Sequence, residues 1–555
     1  MVAGIIGTCE AHQLNVLSDD ACWSLFEQCA FGSDKERCQK FEAIGREIVR
    51  KCGGLPLAAQ ALGGLLRFKK TNEEWLEIKE SKLWDFPDES HILPALRLSY
   101  FHLTPTLKLC FAFCAIFPKD TEIMKEELIH LWMANAFIQP SIKHTDVKDV
   151  GNMIWNELQQ KSFFQDIKID DDTRQVISFK MHDLIHDLAQ SVAGQECVIL
   201  DDAKVSDLSK STHYVSFGVD GGQRSFSKTY FEKFESLRTE YQVDLYKEIS
   251  CSIASNQSLR VLRAGDWFPL PSVGNLIHLR YLELRGNENI DSPKITEFIH
   301  CEKGDRAQLG TIAWPKLSEA EKANLKGKKD LRALVLSWNI QGSSLYVDVE
   351  QEQVLEGLQP HSNLKSLGII SYDGLRLASW LGDSSSTSLG NLIDLTLSNC
   401  RRCQRVGALG KLPSLKRLYI CYMDNVQDVD DECYNDVEMT RTVFPSLEEL
   451  ALEYLPNLKL LLKTERRDIF PCLSELDITG CPKLDALPKC VLHLTSLRRL
   501  WISECPILSR RCKEEYSQKL AYIPNKDIEN QRILRKKPRS YIGGRSETEQ
   551  GSLDK

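Results

Sequence analysis

The segment Leu392-Ile-Asp-Leu-Thr-Leu-Ser-Asn-Cys400 decides the fold of most of this chain. It reads L-x-x-L-x-L-x-x-C, a short strand whose leucines face one way and whose last residue turns the chain. The pattern returns at Leu473-Leu476-Ile478-Cys481 and Leu497-Leu500-Ile502-Cys505. With asparagine in the turn it appears at Leu279-Leu282-Leu284-Asn287 and Leu331-Leu334-Leu336-Asn339. Degenerate copies start at Leu259, Leu364, Leu415 and Leu447. From Leu364 onward the copies follow one another at close to the ~20–29 residues usual for this repeat. A single unit cannot bury its own leucines, whereas stacked units bury them in one continuous core. Residues 251–510 are therefore expected to form a leucine-rich-repeat solenoid. The interval from Leu284 to Leu331 is too long for one unit and predicts degenerate or lost repeats.

Within each L-x-x-L-x-L the x positions face outward on the concave side. Read in order they give Arg260, Arg280 and Tyr281, then Arg417 and Tyr419, then Glu449, and finally Arg499 and Trp501. Blocks of charge interleaved with aromatics suit protein recognition, because arginine and aromatic side chains anchor interfaces. A solvated face without a ligand is the plainer reading of any one of them. The asparagine or cysteine of each turn satisfies buried backbone, which gives Cys400, Cys481 and Cys505 a structural role.

Nineteen cysteines, an odd number scattered through apolar patterns, do not make a disulfide framework. The lone CxxC, Cys400–Cys403, has no second pair at zinc spacing, so no metal is expected. The formal net charge of −8 gives no support to nucleic-acid binding. Met1–Gly7 lacks a basic flank and an apolar run of signal-peptide length. The most apolar stretch, Gly53–Leu66, falls short of the ~20 residues a membrane span needs. A cytoplasmic protein with no transmembrane segment is expected.

The N-terminal third reads as helices. Ser18 caps a helix that carries Asp19 and Asp20 at its positive end. A second helix ends at Gly53-Gly54, and Pro56 sits where a helix's first turn tolerates proline. Thr104-Pro105 starts another helix, and helices follow at Glu126–Ala134 and Val147–Gln160. Stretches 162–169 and 176–180 flank Asp170-Asp171-Asp172 as a hairpin, and Met181–Ala193 returns to helix. Helices, a hairpin and a further helix predict a winged-helix domain. Winged helices often bind DNA, but Glu122, Glu126, Glu127, Asp146 and Asp149 replace the cations that phosphates require. The expected fold is thus multidomain α plus α/β, a helical bundle and a winged helix followed by the solenoid.

Five stretches resemble the plant NB-ARC, leucine-rich-repeat resistance proteins of the coiled-coil class. They are Leu17-Ser-Asp-Asp-Ala-Cys-Trp-Ser-Leu-Phe26, Cys52-Gly-Gly-Leu-Pro-Leu-Ala58, Cys110-Phe-Ala-Phe-Cys-Ala-Ile-Phe-Pro-Lys-Asp120, Leu128-Ile-His-Leu-Trp-Met-Ala134 and Met181-His-Asp183. They occur in the family's order, and with the repeats they cover nearly the whole chain. The resemblance implies an ARC1-like bundle at 1–88, an ARC2-like winged helix at 89–200, a linker at 201–250 and a polar tail at 511–555. It also implies a nucleotide, ADP or ATP, beside Gly54, Leu55, Pro56 and Leu57 and beside Met181, His182 and Asp183. In the family the proline lies against the adenine and the histidine reaches the ADP phosphates.

No G-x-x-x-x-G-K-[ST] occurs in the chain, and Gly407-Ala-Leu-Gly410-Lys411 lacks both its spacing and its hydroxyl. The resemblance therefore implies an N-terminally truncated receptor without its nucleotide-binding core and coiled coil, hence weak or absent ADP binding and no enzymatic activity. A pathogen effector or a guarded host protein is the partner it implies. The other reading is a leucine-rich-repeat adaptor with no nucleotide-dependent activity.

Overall fold

Ser18 does cap the first helix, Asp19–Ala30, its hydroxyl accepting from the Ala21 N–H at 3.3 Å. The computed structural model describes residues 15–85, 94–138, 147–169, 176–200, 209–217, 236–243, 256–264, 270–285, 317–338, 348–382, 389–430, 442–462 and 469–528. It separates into two compact units, Met1–Lys204 and Val205–Lys555.

In the first unit, helices Asp19–Ala30, Lys35–Arg50, Pro56–Leu66 and Asn72–Lys79 enclose an aromatic core. Trp75, fully buried, stacks on Phe41 at 4.6 Å and on Phe31 at 5.6 Å, with Phe26 edge-on at 6.1 Å. Arg37 ties the bundle together. Its guanidinium donates to the carbonyls of Leu66, Arg67 and Lys69, each at 2.8 Å, and to Ala30 at 3.2 Å. Carbonyls at and just past the end of helix Pro56–Leu66 have no intrahelical donors, and one planar cation supplies those of Leu66, Arg67 and Lys69.

Thr104 caps helix Pro105–Phe113, and helices Lys125–Ala134 and Val147–Gln160 follow close to the predicted bounds. Strand Val176–Lys180 lies between Ile123–Met124 and Gln165–Ile169 in an antiparallel sheet, and helix Asp183–Ala193 comes next. This is the winged helix read from the sequence; the hairpin's turn, Asp170-Asp171-Asp172, lies outside the described residues. Helix Pro56–Leu66 packs hard against it. A Cβ on Gly64 would come 2.7 Å from the Gln160 carbonyl oxygen. Ser99 also donates to the Ala61 carbonyl at 3.1 Å. The boundary expected at residue 88 falls outside the described residues.

The second unit is a parallel sheet in which equivalent leucines stand side by side. Leu262, Leu282, Leu334, Leu367, Leu395, Leu418, Leu450, Leu476 and Leu500 are successive register partners, all buried. Two residues on, Leu336, Ile369, Leu397, Ile420, Leu452, Ile478 and Ile502 make a second buried row. The turn cysteines serve the backbone as expected. Cys400 donates to the Ser398 carbonyl at 3.4 Å, and Cys505 to Ser503 at 3.1 Å while accepting from the Cys481 N–H at 3.3 Å. Asn287 and Asn339 lie outside the described residues.

The structure differs from the sequence expectations at two places. Strands Tyr214–Phe217 and Thr239–Val243 occupy the supposed linker at 201–250 and pair in parallel with each other, and Thr239–Val243 pairs in turn with Val261–Ala264. They escape the pattern because Glu240 stands where the next strand has Leu262. The supposed tail at 511–555 contains the end of helix Pro506–Glu514 and strand Asn525–Ile528, which pairs with Arg499–Ser503. There Lys526 faces Leu500 in register, the polar substitution expected where a solenoid ends. The long interval after Leu284, where repeats are expected to be degenerate or lost, does not interrupt the sheet. Strand Tyr281–Arg285 pairs directly with Ala333–Ser337, and buried Lys328 donates to the Gly274 and Leu276 carbonyls at 2.8 and 3.0 Å. Burial pulls the Lys328 amine down to about 8.

Candidate functional site

Two glycines with positive φ, Gly53 at 61° and Gly54 at 76°, reverse the chain ahead of helix Pro56–Leu66. Gly54 is doubly constrained, since a Cβ there would also sit 2.7 Å from the Leu17 carbonyl oxygen. The Leu17 N–H donates to Gly54 O at 2.9 Å, fixing the corner from the other side. Pro56 is the first helical residue, where its missing N–H costs nothing. Leu55 and Pro56 are exposed and Leu57 half-buried, so the corner presents an apolar edge outward beside unpaired helix N–H groups.

Met181 is buried, His182 half-buried and Asp183 exposed. His182 is the N-cap of helix Asp183–Ala193, which puts it at the strand-to-helix junction that the sequence pattern implies. Its Nδ1 accepts from the Leu184 N–H at 3.2 Å. An accepting Nδ1 puts the proton on Nε2, which becomes a donor beside the positive end of a helix. That is chemistry suited to a phosphate oxygen. One turn later His186, 2% exposed, gives its Nε2 proton to the Phe117 carbonyl at 2.7 Å, and burial lowers its pKa. It anchors the helix and is not available as a second ligand. Corner and junction lie in one unit, but among the described residues no hydrogen bond joins them. Arg37, which holds the far end of the corner's helix, leaves no mark in the sequence pattern, because the carbonyls it serves carry no residue identity.

On the solenoid, the residues expected to face solvent are more engaged than the pattern implies. Arg260, Arg280, Tyr419 and Trp501 are half-buried. Tyr281 is not exposed at all: at 3% exposure it donates to Glu283 Oε2 at 2.9 Å, and Glu283 also pairs with Arg263 at 3.3 Å. Arg417, Glu449 and Arg499 are half-buried rather than open. Arg417 pairs with Asp394, its register partner one strand back, and Arg499 pairs with its register partner Glu475 at 3.2 Å. Opposite charges at equivalent positions of adjacent strands meet sideways, which sequence read one repeat at a time does not reveal. The Trp501 Nε1, buried at the atom, has no hydrogen-bond partner among the described residues.

Among the described residues no group of three or more His, Cys, Asp or Glu could hold a metal ion, and no helix is long and apolar enough to cross a membrane.

A winged helix followed by a leucine-rich-repeat solenoid defines the class of protein. Family models agree on both parts: the disease resistance protein winged helix domain matches residues 116–189, and the R13L1/DRL21 LRRs match residues 311–423. The putative disease resistance protein RGA1 of Solanum bulbocastanum is 36% identical, over 87% of this chain and 53% of that protein. The disease resistance protein RGA2 of the same species is 35% identical, over 90% of this chain and 56% of that protein. The putative disease resistance RPP13-like protein 1 of Arabidopsis thaliana is 30% identical, over 91% and 56% respectively. The chain is thus a winged-helix, leucine-rich-repeat homologue of the plant disease resistance proteins. It spans about half the length of the curated relatives it matches.

Proposed function

We propose that this chain is the switch-and-sensor portion of an intracellular plant immune receptor. On this reading the repeats recognise a pathogen effector or a guarded host protein, and the first unit helps to hold ADP in the resting state and ATP in the active one. The observation that carries the switch is the N-cap geometry of His182. Its Nδ1 is committed to the Leu184 N–H, so its Nε2 proton is available to a phosphate oxygen. The exposed Leu55-Pro56 edge would take the base, and a P-loop domain supplied by the rest of such a receptor would cradle the phosphates. The homologues' names and the repeats support a role in disease resistance. The partner expected at the solenoid is a protein rather than a nucleic acid, and the role is recognition and signalling rather than catalysis.

The experiment joins this chain to the P-loop and coiled-coil domains of a close relative and expresses the chimera in leaves. Replacing His182 with Ala should weaken the ADP state by about 1–3 kcal/mol, the size of one charge-assisted hydrogen bond. That raises the active population roughly tenfold or more and triggers cell death without a pathogen. A folded, ADP-bound His182→Ala chimera that stays silent would refute the latch. The chain alone should bind ADP weakly, and micromolar affinity in calorimetry would show that these residues supply most of the contacts.

A further inference from the structure

Three large apolar side chains of the first unit stand open to solvent on neighbouring elements. Phe68 follows helix Pro56–Leu66, Phe101 ends helix Pro94–Phe101, and Leu109 lies in helix Pro105–Phe113. They are 43%, 54% and 52% exposed. Both phenyl rings have an ammonium against them. Lys161 Nζ lies 4.2 Å from the Phe68 centroid, and Lys108 Nζ lies 5.8 Å from that of Phe101. His102, next to Phe101, shows how close these elements are: burial lowers its pKa, and Lys69, Lys108 and Lys161 lower it further against Glu77. Helix Pro56–Leu66 also meets helix Pro94–Phe101 directly, through the Ser99 hydroxyl on the Ala61 carbonyl at 3.1 Å.

The cations here are held in two ways. Lys69 and Lys161 have carboxylate partners, Glu74 at 3.4 Å and Glu157 at 3.6 Å, and Lys161 is buried. Lys108 has no ion pair among the described residues, and neither do Arg67 and Lys70, which flank Phe68-Lys69 and are exposed. Open apolar groups and cations without ion pairs thus share one surface. Solubility alone calls for no such combination, and contiguous exposed apolar groups mark interaction sites.

We propose that Phe68, Phe101 and Leu109, with Arg67, Lys70 and Lys108 beside them, dock the first unit on the surface of an anionic lipid bilayer. This goes beyond the nucleotide and effector reading and does not rest on it. A bilayer interface is apolar within and anionic at its headgroups. A ring with an ammonium beside it meets both at once, the ring at the acyl boundary and the charge at the phosphates. The contact is peripheral, since among the described residues no helix is long and apolar enough to cross a membrane. A protein interface is the poorer match, because such interfaces enrich arginine and deplete lysine. A single-stranded nucleic acid needs open ring faces to stack on, whereas ammonium groups lie over both rings and Leu109 offers no ring.

The test is co-sedimentation of the full chain with vesicles of phosphatidylcholine containing about one third phosphatidylserine, against vesicles of phosphatidylcholine alone. The anionic vesicles should bind at least tenfold tighter. The F68S/F101S double variant should lose at least tenfold and K70Q/K108Q at least threefold. I277S, which removes an apolar residue of similar exposure on the solenoid, should stay within twofold. Absent binding, equal binding to the two vesicles, or undiminished binding by either double variant overturns the proposal. A soluble polyglutamate peptide is the competing anion. If it displaces the chain from the vesicles at equal total negative charge, the proposal is overturned in favour of an acidic protein segment. Thermal melting separates docking from scaffolding. The rings are half open to water, so the F68S/F101S midpoint should stay close to that of the parent, and a clear drop overturns the docking role.

Discussion

The two units are stabilised in opposite ways. The helical unit depends on interactions that occur once, such as Trp75 stacked on Phe31 and Phe41, or Arg37 serving four carbonyls. The solenoid depends on one interaction repeated, a leucine beside a leucine in register from Leu262 to Leu500. Single-copy contacts concentrate stability and make it cooperative. Repeated contacts spread it, because each repeat touches only its neighbours.

Truncating one buried side chain in each unit is the strongest way to break this contrast. Trp75→Ala should cost about 3–5 kcal/mol and Leu418→Ala about 2–4 kcal/mol. The distribution of the loss differs more than its size. Hydrogen exchange should show protection lost throughout helices Asp19–Ala30 to Asn72–Lys79 for Trp75→Ala. For Leu418→Ala the loss should stay near strands Asp394–Ser398 and Glu449–Glu453. A uniform loss along the whole solenoid would mean that its repeats melt as one body and the contrast is wrong.

A comparable effect is expected where the repeat rule is violated. Glu240 occupies an inner-leucine station at 1% exposure, and its Oε2 has no partner among the described residues. Burial pushes its carboxyl up to about 8. Between the ordinary carboxylate value and about 8 the folded chain holds a proton that the unfolded chain releases. Stability is therefore greatest below that window and falls as pH rises through it. The loss should reach about 2–4 kcal/mol by pH 8. Glu240→Gln should remove it, which denaturant melts at pH 5 and pH 8 would measure. An unchanged pH dependence in that variant would mean that the site admits water.

The smallest effect belongs to the paired charges of the concave face. Arg417 and Asp394 remain 16% and 17% exposed at the side chain, so screening leaves Arg417→Ala costing no more than about 1 kcal/mol. Partner binding, if Arg417 contributes to it, should fall by more than stability does. A melt shifted by several kcal/mol would place Arg417 in the scaffold instead.

The same contrast governs what the sequence discloses. A repeated rule betrays itself by its period, which is why the buried leucine rows can be read from the order of residues alone. Where one residue departs from the rule the period is lost, and strand Thr239–Val243 disappears from view behind Glu240. His182 is legible because a strand pattern gives way to a helix pattern there. The burial of Tyr281 is not, because it depends on Glu283 and Arg263 gathered from its own and an adjacent strand. Arg37 is equally hidden, since its partners are backbone atoms from two distant segments.

The direct pairing of Tyr281–Arg285 with Ala333–Ser337 has a consequence for how such a molecule can change. Register between these strands is set by backbone hydrogen bonds, by buried leucines and by the Lys328 clamp, and not by how much chain lies between them. Closing a loop costs free energy only with the logarithm of its length, about 0.6 kcal/mol for a doubling. Chain length between the two strands can therefore vary while every station of the sheet keeps its neighbour. Diversity in length at that one seam comes almost free, and it leaves the leucine register on either side undisturbed.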